Sequence, residues 1–219
     1  MKSIIKIPFN IVLMVAVVLQ LTNCTDKPVN LSVARESVKE YYESGKFDEE
    51  LNEVIREGKD KFSKIEFTEN SVVIFDVDET ALNNYEASKK MGYGYVYEMV
   101  LEWTQDAKVP AFPQVKELYD YLLSKGSKII FLTARAYDEY DATYKNLTTQ
   151  GYTGFDTLIT KNKNEHEMKS VDFKTAKRDE LVQIGYDILG TVGDQWSDLE
   201  GLHHGIQVKI PNYLYQDVY

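Results

Sequence analysis

From residue 71 onward, short apolar runs alternate with longer amphipathic stretches, and that alternation restricts the fold more than any other feature of the chain. The runs are VVIF (72–75), KIIFL (128–132), DTLIT (156–160), DILGTV (187–192) and IQVKI (206–210). Residues 112–125, 138–150 and 172–184 between them repeat apolar positions at helical spacing. A strand that is apolar along its length must be covered on both faces, and intervening helices supply the cover. The pattern therefore predicts an α/β fold, a doubly wound parallel sheet. Ligands of such sheets bind beyond the carboxyl ends of the strands. Asp76, Asp78, Thr133 and Asp194 each fall just past a predicted strand end, so the topology gathers them at one edge.

Two helical patterns precede the sheet. One runs through Leu31, Ala34, Val38 and Tyr41, the other through Leu51, Val54, Ile55, Gly58 and Phe62, with Gly45 between them. They predict N-terminal helices within 31–68 that serve packing. Residues 83–111 are too long for an ordinary strand-to-helix connection and are rich in aromatics. They predict a helical cap insert over the strand ends. Its Tyr93, Tyr95 and Trp103 either bind substrate or pack the insert onto the domain.

The first 23 residues read as a signal peptide: Lys2 and Lys6 precede an apolar run from Ile11 to Leu19 that is too short to span a bilayer. Cys24, the sole cysteine, follows in LQLTNC and resembles the lipidated residue of a bacterial lipoprotein, although Asn23 replaces the usual small residue before it. The expected protein is exported and held to a membrane by a lipid on Cys24. Residues 24–30 form a tether, residues 31–219 form the folded domain, and a single cysteine excludes an internal disulfide. The formal net charge is −10, and removal of 1–23, with two lysines and no acids, makes it −12. That charge argues against a nucleic acid polymer as a general partner, but not against a small phosphorylated metabolite beside a local cation. The sequence leaves the oligomeric state open.

VVIFDVDETALNN (72–84) carries the chemistry. Two carboxylates at the end of a buried strand destabilise it unless a cation or proton is supplied. A calcium loop beginning at Asp76 would need Gly at its sixth position and Glu at its twelfth, where the chain has Ala81 and Ala87. An inert acidic turn and a catalytic pair remain. In the catalytic reading one aspartate attacks phosphorus, forming an aspartyl-phosphate. The other protonates the leaving oxygen and then deprotonates water. An i, i+2 spacing puts both on one side of an extended chain. Meeting an anionic phosphate requires a divalent cation, and Mg2+ suits an oxygen-only site. FLTAR adds Thr133 and Arg135, FKTAKR adds Lys174 and Lys177, and GDQWSDL adds Asp194 and Asp198.

DVDET, FLTAR, FKTAKR, GDQWSDL and KIPNYLY, in that order over residues 70–215, resemble the motifs of the haloacid dehalogenase (HAD) superfamily. They are similar to its acid phosphatase branch, subfamily IIIB, which includes bacterial lipoprotein acid phosphatases, 5′-nucleotidases and plant relatives of vegetative storage proteins. The resemblance implies a HAD-like Rossmannoid fold with Asp76 as nucleophile and Asp78 as general acid/base. It implies Mg2+ held by Asp76, the main-chain carbonyl of Asp78 and Asp194, with Asp198 in support. Thr133 would hold a phosphoryl oxygen. Lys174 fits the family's Lys, Ser/Thr, Arg pattern through Thr175 and Arg178, with Lys177 the second choice. Arg135 is either an ion-pair partner or a phosphate ligand. The implied activity is phosphomonoester hydrolysis, with nucleoside monophosphates among the substrates. A phosphotransferase and a non-enzymatic storage-type lipoprotein are the alternatives. His203 and His204, adjacent in an extended stretch, read as loop residues, and Glu165, His166 and Glu167 as a solvated connection. NLT at Asn146 matches a glycosylation pattern that means little in a bacterial lipoprotein.

Overall fold

The computed structural model describes residues 28–217. The expected signal peptide, Cys24 and most of the tether lie outside them. From Arg35 onward the described residues form one compact unit. Among the described residues, no helix is long and apolar enough to cross a membrane.

Five parallel strands build the sheet: β1 (Ser71–Phe75), β2 (Lys128–Ala136), β3 (Thr157–Lys161), β4 (Asp187–Gly193) and β5 (Ile206–Lys209), in the order β3-β2-β1-β4-β5. The predicted α/β fold is borne out. Side chains alternate across a strand, and the two faces have different covers. Val73, Phe75, Ile129 and Phe131 point into the larger core with Leu51, Phe62, Leu118 and Leu122. These last come from α2 (Lys46–Phe62) and α5 (Pro113–Ser124). Val72, Ile74, Ile130 and Leu132 point the other way, against Phe173 and Leu181 of α7 (Ser170–Gln183). Two-sided cover is why the strands read as continuous apolar runs.

The winding runs from β1 through β2 to β3 on one side and to β4 and β5 on the other. The carboxyl end of β1 is therefore the switch point, where a crevice opens. Helix α1 (Leu31–Glu43) precedes α2, with Gly45 between them in the left-handed region at φ 88°. The segment after β1 holds α3 (Tyr85–Lys90) and α4 (Tyr97–Asp106). It leaves and rejoins the domain at one point, where Leu82 bridges Ala111 and the Asn83 N–H donates to the Pro110 carbonyl at 2.8 Å. Helix α6 (Tyr140–Thr149) follows β2, and a short helix α8 (Trp196–Leu199) follows β4.

Candidate active site

Asp76 extends β1 by one residue, its N–H donating to the Val192 carbonyl at 2.9 Å. The chain then turns. Leu82 N–H bonds back to the Val77 carbonyl at 2.8 Å, and Glu79 adopts φ 52°, a left-handed conformation unfavourable for a residue with a Cβ. The turn therefore follows directly on the i, i+2 pair. Asp76 and Asp78 still line one cavity of about 620 Å3, but they belong to two separate clusters.

In the first cluster, Lys174 from α7 donates to Asp76 Oδ1 at 2.6 Å and also to Asp198 Oδ1. Carboxylate oxygens of Asp76, Asp194 and Asp198 lie within 4.8 Å of one another, and all three residues are buried. Asp198, expected in a supporting role, is thus as close as the other two. Burial and the Asp198 charge push the Asp76 carboxyl well above its ordinary range, and Lys174 offsets only part of this. Asp194 accepts from the Thr80 hydroxyl (3.1 Å), Gln195 Nε2 (2.6 Å) and Asn212 Nδ2 (2.7 Å). Burial and Asp198 nevertheless push it up to about 8. Burial opposes the Lys174 charge, but Asp198 and Asp76 outweigh it and hold its pKa above the ordinary value. Three buried carboxylates face one lysine, an imbalance that one divalent cation corrects. An all-oxygen donor set fits a hard cation of the magnesium type. Lys177 is elsewhere, paired with Glu165 at 2.7 Å and Glu180 at 3.0 Å, which leaves Lys174 as the site lysine.

In the second cluster, Arg135 grips Asp78 with both arms, Nε to Oδ2 at 2.8 Å and Nη2 to Oδ1 at 2.6 Å. Asn84 Nδ2 adds a third bond to Asp78 at 2.9 Å. Burial acts to raise the Asp78 carboxyl, but Arg135 and Asn84 outweigh it and hold the group below its ordinary value. Of the two readings of Arg135, the structure shows the ion-pair partner. Thr133, buried at the cavity wall, accepts the Arg135 backbone N–H at 3.2 Å, so its hydroxyl proton is left to donate.

Several framing residues have structural tasks that the sequence does not reveal. Arg178, fully buried, donates to the carbonyls of Asp198 (2.7 Å), Leu202 (2.9 Å) and Glu200, and to the Thr175 hydroxyl at 3.2 Å. It clamps α8, which carries Asp198, and the loop that follows it. A methyl group at Gly193 would overlap the Asp198 carboxylate, so that position requires glycine. Residues 211–217 form a strap without regular structure. Asn212 reaches Asp194, as described, and the Tyr215 hydroxyl donates to Glu79 Oε2 at 2.6 Å. Asp217 accepts from the Ser197 hydroxyl at 2.6 Å. Glu79 Oε1 in turn accepts the Asn84 N–H at 3.1 Å, and burial followed by the Asp78 charge pushes Glu79 up to about 8.

Tyr93, Tyr95 and Trp103 all line the cavity from the cap. Tyr93 sits 6.4 Å from Tyr85, which stacks on Tyr42 of α1 at 4.7 Å, so the cap wall is anchored by an aromatic stack. His203 and His204 lie in a loop, the former 3.3 Å from Asp179. Asn146 is buried, and its side chain exchanges bonds with the Val109 backbone at 2.9 and 2.7 Å. Its amide is part of the fold.

A protein-family profile described as HAD superfamily, subfamily IIIB (acid phosphatase), matches residues 12–218. A 28 kDa stem glycoprotein of Glycine max is 35% identical over 186 residues, 82% of this chain and 73% of that one. Acid phosphatase 1 of Solanum lycopersicum is 31% identical over 184 residues, covering 81% and 72%. Vegetative storage protein 1 of Arabidopsis thaliana is 34% identical over 149 residues, covering 66% and 55%. The crystal structure of the class C acid phosphatase of Bacillus anthracis with tungstate bound superimposes with a TM-score of 0.69 at 23% identity. That match covers 83% of this chain and 85% of the other and shows a shared fold. The order of the motifs, the parallel sheet and the paired acidic clusters agree with these matches, and the chain belongs to subfamily IIIB of the HAD superfamily, the acid phosphatases.

Proposed function

We propose that this acid phosphatase is a magnesium-dependent phosphomonoesterase that works through an aspartyl-phosphate on Asp76. The observation that carries the reading is the pairing of Asp76 with Lys174 inside the buried carboxylate cluster, while Asp78 is held apart by Arg135. Asp76, Asp194 and Asp198, with the main-chain carbonyl of Asp78, are the groups to hold the ion. Magnesium, when bound, supplies the positive charge that lets a phosphate dianion approach these carboxylates.

An Asp76 carboxylate oxygen forms a bond to phosphorus as the bond to the leaving oxygen breaks, and Asp78 gives that oxygen its proton. Water then bonds to phosphorus, Asp78 takes its proton, and the acyl-phosphate bond breaks to release inorganic phosphate and Asp76. The Thr133 hydroxyl and the Lys174 ammonium stabilise the transferring oxygens. The storage-type alternative is less well supported, because every reacting group is present at one cavity. Hydrolysis of an aryl phosphate that is lost in chelator and restored by magnesium tests the reading; full activity in chelator would sink it.

Arg135 keeps Asp78 ionised, whereas protonation of a poor leaving group needs the acid form. Activity on an alkyl phosphate should therefore fall as pH rises. In Arg135→Gln the carboxyl loses its main counter-charge, so the basic limb of the profile should move to higher pH. A limb that stays in place, or moves down, would remove Asp78 as the acid.

The aromatic cap wall supports nucleoside monophosphates as substrates. A nucleotide should exceed a small aliphatic phosphate in kcat/KM by roughly tenfold, as stacking on one ring allows. Alanine at Tyr93, Tyr95 or Trp103 should narrow that gap, and equal rates in the parent would reject stacking. Export with a lipid on Cys24 completes the proposal, supported by the apolar run and LQLTNC. Incorporation of a labelled fatty acid, abolished in Cys24→Ser, tests it; an unlabelled parent chain overturns it.

A further inference from the structure

The cavity wall has an unusual charge balance for a site that binds phosphate. Seven carboxylate side chains and two cationic ones line it. Neither cation is free: Lys174 is held between Asp76 and Asp198, and Arg135 is held by Asp78. One divalent ion still leaves the wall negative. Three of the carboxylates, Glu79, Glu139 and Asp217, belong to neither cluster, and of these Glu79 is held by the Tyr215 hydroxyl and the Asn84 N–H. Glu139 accepts only the Ala136 N–H (2.9 Å) and Asp217 only the Ser197 hydroxyl (2.6 Å) among the described side-chain contacts. The remaining wall is aromatic and neutral. Lys90, whose ammonium sits 4.7 Å from the Trp103 ring centre, is not among the lining residues.

We propose that this cavity selects phosphomonoesters whose leaving group is neutral or cationic and rejects esters that carry a second anionic group, with Glu139 and Asp217 as specificity-determining residues. The inference rests on the phosphatase reading and narrows its substrate class. A reacting phosphate dianion uses the whole positive charge of the site. A second anion further out meets unpaired carboxylates in a partly enclosed space, where fields are weakly screened. An ammonium in the same place meets carboxylates and ring faces, both of which attract it. A nucleoside monophosphate passes this filter, whereas a nucleoside diphosphate or a sugar bisphosphate does not.

Three phenyl phosphates test the proposal on the magnesium-loaded full chain. Their para substituents are ethyl, trimethylammoniomethyl and carboxymethyl, with a methylene group in each case limiting differences in leaving-group acidity. At low ionic strength kcat/KM for the anionic ester should lie about tenfold below the neutral one, and the cationic ester should equal or exceed it. Added salt should narrow both differences. Glu139→Gln and Asp217→Asn should each reduce the cationic-to-anionic ratio by roughly threefold. An anionic ester turned over as fast as the neutral one, or a ratio unmoved in both variants, overturns the proposal. If none of the three esters is hydrolysed, the phosphatase reading fails. Calorimetric binding of the three matching phosphonates then decides the charge preference: the same order supports it, and a reversed or absent order overturns it.

Discussion

Asp76→Asn should lower kcat on an aryl phosphate by roughly 10^4-fold or more, because no other group at the cavity is placed to make the covalent bond. The substitution keeps the shape of the side chain and an oxygen that can accept from Lys174, so the loss is chemical. Its effect on stability has the opposite sign. Burial and Asp198 hold the Asp76 carboxyl above its unfolded value, so the ionised group weakens the metal-free fold. That penalty is absent below the unfolded carboxylate pKa and grows as pH rises toward the folded one. In chelator at neutral pH, Asp76→Asn should therefore melt at or above the temperature of the parent. In magnesium the parent should gain more, since it keeps all three ligands. Activity within tenfold of the parent would end the covalent mechanism. A metal-free variant that melts well below the parent would show that the charge balance has been misread.

Arg178→Met should destabilise the domain by about 3–5 kcal/mol, the range expected when a buried charged donor set is removed from fixed acceptors. Methionine retains most of the volume, so the loss reports the three carbonyls left without a donor. For a domain of this size that corresponds to a fall in Tm of roughly 10 °C. Burial pulls the guanidinium down to about 10, which shows that the charge itself is not well accommodated. The carbonyl contacts are what retain it. Because Asp198 sits in the clamped helix α8, magnesium affinity should also fall by about tenfold or more. A variant with unchanged melting and unchanged magnesium affinity would show that the loop holds itself.

The chain states its local structure plainly and its long-range pairings hardly at all. The strands were legible because two-sided cover forces whole runs such as VVIF and KIIFL to be apolar. The residues gathered at the strand ends were legible because parallel topology sends every carboxyl end to one edge. The turn after Asp76 was not, since Glu79 in a left-handed conformation follows no residue preference. The grip of Arg135 on Asp78 spans 57 positions, and neither residue type announces the other. Arg178 and Lys209 fall within the motifs FKTAKR and KIPNYLY, but they bond to main-chain carbonyls, which every residue has, so the sequence does not reveal their partners. Asn212 and Tyr215 lie in KIPNYLY, a segment that the resemblance noticed but could give no task.

That last segment props acids that all precede it in the chain. Every acid of the centre has been synthesised by residue 198, yet the amide that steadies Asp194 and the phenol that steadies Glu79 arrive only at 212 and 215. A chain cut between residues 209 and 212 would keep all five strand sequences and these acids but lose the Asn212 bond to Asp194 and the Tyr215 bond to Glu79. The strap thus supports the site while supplying none of its reacting groups.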